Sequence, residues 1–160
     1  PFFFFFLTSM AYHGQFGLSL KAEGDLDVDA HHLFEDVGIA LGSALHQTVE
    51  QYGHVCRYGS SIIPMDEALS EVIIDVSGRP YLIYTGEYPQ EYCGQFPVAL
   101  LKEFLYALEI NAKINLHAHC RYGENSHHMA EALFKALGRA CMVAYRKSER
   151  NGPASTKGVL

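Results

Sequence analysis

The sequence predicts a mixed α/β domain built from two related halves, with helices and strands in two layers. Three observations predict it. Apolar residues recur at helical spacing over residues 31–52 and 126–147. Between those stretches lie segments that alternate apolar and polar residues, as half-buried strands do. Residues 31–44 also align with residues 127–140 at a constant offset of 96, without a gap.

Taken in order, residues 2–12 are almost uniformly apolar and end at His13-Gly14, which suits a short buried helix. A strand is the alternative, because the run shows no period. Phe16, Leu18, Leu20 and Ala22 alternate with polar residues and predict a half-buried strand. Leu26 and Val28 alternate with Asp25, Asp27 and Asp29, a second strand after a turn at Gly24. Residues 31–52 carry Val37, Ala40, Leu41, Ala44, Leu45, Val49 and Tyr52 on one helical face, and Gly53 is placed to end that helix. A strand over 55–63 leads to a turn or short helix at Pro64–Glu67. Strands at 71–76 and 80–85 flank Ser77-Gly78-Arg79, a hairpin or tight connection.

Residues 86–96, with Gly86, Pro89 and Gly94, read as a loop. Pro97 is placed to open a helix over 97–109. Ala112, Ile114, Leu116 and Ala118 alternate with Lys113, Asn115, His117 and His119, so a strand here buries one face and shows histidines on the other. The helix over 126–147 has Met129, Leu133, Leu137, Ala140, Cys141 and Ala144 on its apolar side. Residues 148–160 form a weakly structured tail.

At 160 residues the chain fits one domain, or two half-domains sharing one core. With 49% apolar and 19% charged residues it is neither a disordered nor a fibrous sequence. The net charge of -6 provides no general basic field for nucleic acid. No apolar run reaches the roughly 18–20 residues that span a bilayer. Cys56, Cys93, Cys120 and Cys141 form no CxxC pair and read as free buried thiols of a reducing compartment. That predicts a cytoplasmic protein, or a plastid one whose transit peptide has been removed. The run Phe2–Leu7 looks like a signal core but lacks a basic flank and a small-residue cleavage site. The chain starts at Pro1 rather than Met, so it is read as trimmed at its beginning.

The repeat pairs His31 with His127, His32 with His128 and Glu35 with Glu131, and it also keeps Ala40, Leu41, Gly42 and Ala44. Seven of fourteen aligned positions are identical. Pro1 falls on Pro97, each opening an apolar run. Two copies make a duplicated half-domain rather than a solenoid. The expected division is a first half over about 1–85, a second over about 86–150, and a tail over 151–160. Packing explains the repeated apolar positions but gives no reason to repeat two histidines and a glutamate.

Residues four apart on a helix lie roughly 40° apart around its axis, so His31 and Glu35 point together, as do His127 and Glu131. Their neighbours His32 and His128 point about 100° away. One motif can therefore serve two metals, or one metal within the chain and one across an interface. Imidazole with carboxylate suits Mn, Fe, Ni, Co or Zn. The order is not that of the HExxH zinc-protease helix, nor the ExxH of ferritin-like bundles. The plainer reading is two polar first turns with glutamates favouring the helix dipole. His117 and His119 share one strand face, and spacing does not choose between them as an additional ligand. His13, His46 and His54 read as surface or capping residues.

The strings Asp25–Gly42 (DLDVDAHHLFEDVGIALG), Pro64–Leu69 (PMDEAL), Asp75–Tyr81 (DVSGRPY), Leu116–His117, Gly123–Lys135 (GENSHHMAEALFK) and Ser155–Gly158 (STKG) together resemble the imidazoleglycerol-phosphate dehydratase family. The resemblance runs the length of the chain. It implies two pseudo-symmetric halves, each a four-stranded sheet on two helices, of the ribosomal protein S5 domain 2 type. It implies a homo-oligomer of twenty-four subunits with two manganese ions per active site, between subunits. The implied reaction dehydrates imidazole glycerol phosphate to imidazole acetol phosphate in histidine biosynthesis. The implied metal ligands are His31, His32, Glu35, His117, His127, His128 and Glu131, which selects His117 over His119. Arg57, Arg79, Ser155 and Lys157 match positions that bind the substrate phosphate, a role that arginine forks and a lysine charge suit. Glu131 or Glu35 is the expected proton carrier.

The chain departs from the family at its beginning. Phe5 stands where a metal-binding histidine is expected, and Phe4 where an aspartate is expected. A segment before Pro1, which in the family supplies an acidic active-site residue and an edge strand, is not part of the sequence. Besides the dehydratase, two readings stay open at this point. One is a catalytically silent subunit that keeps the shell-forming fold. The other is a metallohydrolase using the same ligands to activate water.

Overall fold

A computed structural model describes residues 2–22 and 30–149. The chain runs α1 (Phe2–Gly14), α2 (His31–Tyr52), β1 (Tyr58–Met65), β2 (Ala68–Asp75), β3 (Tyr81–Thr85), β4 (Tyr92–Cys93), β5 (Phe96–Pro97), α3 (Leu100–Ala112), β6 (Asn115–Tyr122) and α4 (Ser126–Ala144). Strands expected over 25–29 and most of the tail, with Ser155 and Lys157, lie outside the described residues.

The phenylalanine run is a helix. Phe3, Phe6, Leu7, Met10, Ala11 and Gly14 are buried, an i, i+3, i+4 stripe. The period was hidden at the start of the run because Phe4 and Phe5, off the stripe, are apolar too. Phe6 stacks on Phe134 of α4 at 5.3 Å, and Phe134 stacks on Phe104 of α3 at 5.5 Å. Phe3 lies 3.9 Å from Phe34 of α2, and Phe34 lies 5.1 Å from Phe96. All four helices therefore meet in one aromatic core.

Helix α4 packs on β1 and β2 and touches β6 along one face of a four-stranded sheet, ordered β1-β2-β6-β3. The hairpin is β1–β2, not the expected pairing of 71–76 with 80–85. β2 and β3 do not pair, because β6 enters between them, antiparallel to β2 and parallel to β3. Pro64 and Met65 belong to β1, and the reversal falls at Asp66, where φ is 47°. A division at residue 85 cuts this sheet, leaving β1–β3 before it and β6 after it.

Phe16, Leu18, Leu20 and Ala22 pack partly buried against the core, and no strand over 16–22 forms among the described residues; the neighbour expected over 25–29 lies outside them. One further expectation changes. Pro97 does not open α3 but pairs with Tyr92 in the β4–β5 ribbon. Buried Phe96 and Val98 hold the chain there, and the helix begins at Leu100. Gly53 ends α2 as expected, with φ 71° and its N–H on the Val49 carbonyl at 2.9 Å.

The helices pair across the repeat, α1 on α4 and α2 on α3. Each crossing uses one of the repeated glycines. A Cβ on Gly138 would strike the Met10 carbonyl oxygen and stand 3.1 Å from the Gly14 nitrogen. A Cβ on Gly42 would stand 2.5 Å from the Leu108 oxygen and 2.9 Å from the Ala112 nitrogen. The cysteines are free, and burial pushes Cys93 up to about 11 and Cys141 up to about 12.

Gly138→Ala is expected to lower the unfolding free energy by ~1–3 kcal/mol through overpacking, read from the urea midpoint. Gly17→Ala, whose Cβ meets open space, is expected to shift it by less than ~0.5 kcal/mol. Glu109 is buried with Oε2 unpartnered among the described residues, and burial lifts its carboxyl to about 6. A raised carboxyl contributes stability below its unfolded value that is lost as pH rises through the folded one. Glu109→Gln should therefore stabilise the protein above pH ~7 and do little below pH ~4. Parallel denaturant curves at the two pH values check this.

Candidate functional site

The second histidine pair sits on the first turn of α4. Asn125 is the N-cap, its Oδ1 accepting from the His127 N–H at 2.9 Å. That cap starts the helix where the two rings diverge, His127 along the helix and His128 toward the β1–β2 turn. His127 Nε2 lies 3.2 Å from Glu131 Oε2, the juxtaposition that i, i+4 spacing predicts. The other Glu131 oxygen is 2.8 Å from Lys135 Nζ. Glu131 is only 7% exposed, and its side chain is held between Lys135 on one side and the His127 imidazole on the other.

His128 Nδ1 lies 2.8 Å from Glu67 Oε2. The other oxygen, Glu67 Oε1, accepts from the Glu124 N–H at 3.1 Å and the Asn125 N–H at 2.8 Å. The hydrogen bond with His128 and these backbone N–H groups pull the Glu67 carboxyl down to about 2. Glu67 and Lys135 were not singled out from the sequence. Lys135 had a signal, since it stands four residues after Glu131 on the same helix face. Glu67 is sixty-one positions from His128, and only the hairpin brings them together.

The first pair opens α2 after Ala30, with no side-chain cap. His32 and Glu35 are exposed, His31 is half-buried, and the two rings are 5.9 Å apart. Among the described residues no three His, Cys, Asp or Glu side chains converge on one point. The two motifs are thus not joined into a shared centre inside one chain.

His117 and His119 lie half-buried on the sheet face away from α4, their rings 6.1 Å apart. His119 Nδ1 is 2.7 Å from Thr85 Oγ1. His117 is in register with Ile73 of β2 and Ile83 of β3, between two apolar neighbours. His46 bonds Lys113 Nζ at 3.0 Å, while His54 is half-buried with Nδ1 unpartnered among the described residues.

Arg57 and Arg79 share the opposite end of the sheet from the second motif. Arg57 Nε donates to Asp75 Oδ1 at 2.7 Å and Nη2 to Oδ2 at 3.2 Å, and the guanidinium lies 4.8 Å over the Tyr58 ring. The Asp75 hydrogen bond raises the Arg57 pKa further. Arg57 adopts φ 75°, a strained value for a side chain this large. Arg79 is exposed, with Nη1 on the Ser77 carbonyl at 3.2 Å. The eight residues of β1 separate Arg57 from the turn that holds His128, ~23 Å at strand rise. One substrate molecule does not bridge that span within one chain.

Phe5 lies beside the second motif, its ring 5.9 Å from that of His127, and it is 46% exposed. The departure noted in the sequence therefore falls at the site.

A family model described as imidazoleglycerol-phosphate dehydratase matches residues 1–141. The chain belongs to the imidazoleglycerol-phosphate dehydratase family. An imidazoleglycerol-phosphate dehydratase of Clostridium botulinum is 51% identical over 155 residues, 96% of this chain and 79% of the relative. One from Acetivibrio thermocellus is 50% identical over 160 residues, 99% of this chain and 82% of the relative. The crystal structure of the Staphylococcus aureus enzyme covers 92% of this chain and 83% of its own, at TM-score 0.85 and 38% identity. That of Pyrococcus furiosus, solved with (S)-C348, covers 99% and 86% at TM-score 0.82 and 36% identity. The mixed α/β fold expected of the family is the fold observed. No described helix is long and apolar enough to cross a membrane.

The Arg57–Asp75 fork yields a test. Arg57→Lys keeps the charge but loses the paired geometry. Unfolding free energy should fall by ~1 kcal/mol, and KM for a phosphorylated substrate should rise more than kcat falls. Denaturant curves and steady-state kinetics measure the two effects.

Proposed function

We propose that this chain is a metal-dependent hydro-lyase that converts imidazole glycerol phosphate to imidazole acetol phosphate, in histidine biosynthesis. The family match over residues 1–141 carries this reading. Nothing favours a metallohydrolase.

The donor chemistry at α4 suits a divalent ion such as Mn²⁺. His127 Nε2 and Glu131 Oε2 stand 3.2 Å apart. His127 and Glu131 would hold one ion, with His128 facing another. His31, His32, Glu35 and His117 supply the remaining imidazole and carboxylate donors. Since one chain does not bring these together, the complete site is assembled between copies, as in the twenty-four-subunit arrangement the family implies. Two metals there would supply Lewis acidity that makes the substrate imidazole ring an electron sink.

The protein's own part is positioning and proton transfer. Arg57 and Arg79 of one copy bind the phosphate, with Ser155 and Lys157. Glu131 or Glu35 removes the C–H proton as the hydroxyl departs. Lys135 holds Glu131 in place between turnovers. Phe5 leaves the His127 side one ligand short, because a phenyl ring has no lone pair to offer. A soluble cytoplasmic enzyme fits this role.

Product formation by purified protein with added manganese tests the reading. Imidazole acetol phosphate should form, and chelation should stop it. Normal assembly with no product would instead make this a silent shell subunit. Phe5→His should raise bound manganese per chain and turnover, and unchanged metal content would refute the missing-ligand account. Glu131→Gln and Glu35→Gln separate ligand from base. The variant that loses turnover by ~10²-fold or more while keeping its metal identifies the proton carrier.

A further inference from the structure

We infer that Glu67 is a positioning residue that sets the tautomer and aim of His128, leaving Nε2 as the nitrogen presented to a ligand. The inference deepens the metal reading above and rests on it only for the identity of that ligand.

Glu67 occupies the β1–β2 turn, next to Asp66 with its φ of 47°. The turn brings its carboxylate against the start of α4. One oxygen takes two backbone N–H groups, from Glu124 and Asn125, and the other faces His128 Nδ1 at 2.8 Å. The Asp66 carboxylate stands 3.9 Å from the same nitrogen. An ionised carboxylate accepts hydrogen bonds and donates none. Nδ1 must therefore carry the proton, and in a neutral ring Nε2 then keeps its lone pair. Because the same carboxylate is tied to two peptide groups of the α4 entry, the ring is held to the backbone through its partner. His127 is arranged differently. Its Nε2 faces Glu131 of its own motif, so the two adjacent histidines present themselves through different supports.

The carboxylate–imidazole pair fixes ring orientation and makes the outward nitrogen more basic, and loss of such a partner typically weakens metal binding 10- to 100-fold. Glu67 also anchors the chain that enters α4, so a stability loss on its removal is no test of this role.

Two measurements isolate it. The first is ¹⁵N magic-angle-spinning NMR of histidine-labelled, metal-free protein, with His128 assigned by difference against His128→Gln. His128 should be protonated on Nδ1 in the parent and shift toward the Nε2–H tautomer in Glu67→Ala. A parent His128 protonated on Nε2 overturns the inference whatever metal does. The second is calorimetric titration with Mn²⁺ of the parent, Glu67→Ala, His128→Gln and the double variant. Glu67→Ala should weaken binding 10- to 100-fold in the parent and less than ~3-fold when His128 is already gone. Equal losses in both backgrounds assign Glu67 a purely structural role and overturn the inference. A parent that takes up no manganese overturns the metal reading instead, and the tautomer measurement still decides the role of Glu67.

Discussion

Both histidine pairs stand where they do because pairs of helices cross at backbone contact. Gly138 lets α4 lie against α1, and Gly42 lets α2 lie against α3. At each crossing a side chain as small as alanine would meet a peptide group of the partner helix. Interiors packed to crystal density transmit such contacts rather than absorbing them. The glycines thus set the depth of each helix in the aromatic core, and with it the height of the first turn. The HHxxE residues open each helix, about two to three helical turns before the glycine.

The repeat accordingly has two parts with separate physical origins. Ala-Leu-Gly-x-Ala belongs to packing: Ala136, Leu137, Gly138 and Ala140 are buried in α4. HHxxE belongs to chemistry, for its side chains are the polar ones at the helix entry. The two copies also differ in their surroundings. In α4 the β1–β2 hairpin covers the helix and supplies Glu67 to His128. In α2 the matching residues Ala40, Leu41, Ala44 and Leu45 are less buried, and no described strand lies over them. Among the described residues, the α4 motif has Glu67 against it, while His32 and Glu35 of the other motif are exposed.

The placement of the arginines follows the same logic. Arg57 and Arg79 lie at the end of the sheet remote from the α4 entry, and strand length keeps them there. Arg57 is fixed by the Asp75 fork in a backbone conformation that costs energy, which the surrounding ladder sustains.

By itself the sequence determined the family, the helices carrying the motifs, and the i, i+4 pairing of His127 with Glu131. These are local or one-dimensional properties, carried by period and order. Tertiary structure decided the rest. It inserted β6 between β2 and β3, because strand neighbours depend on contacts distant in sequence. It chose which phenylalanines of the opening run face inward, since a uniform apolar run has no period to read. It also brought Glu67 to His128 across sixty-one positions, a meeting that exists only once a hairpin has closed against a helix entry.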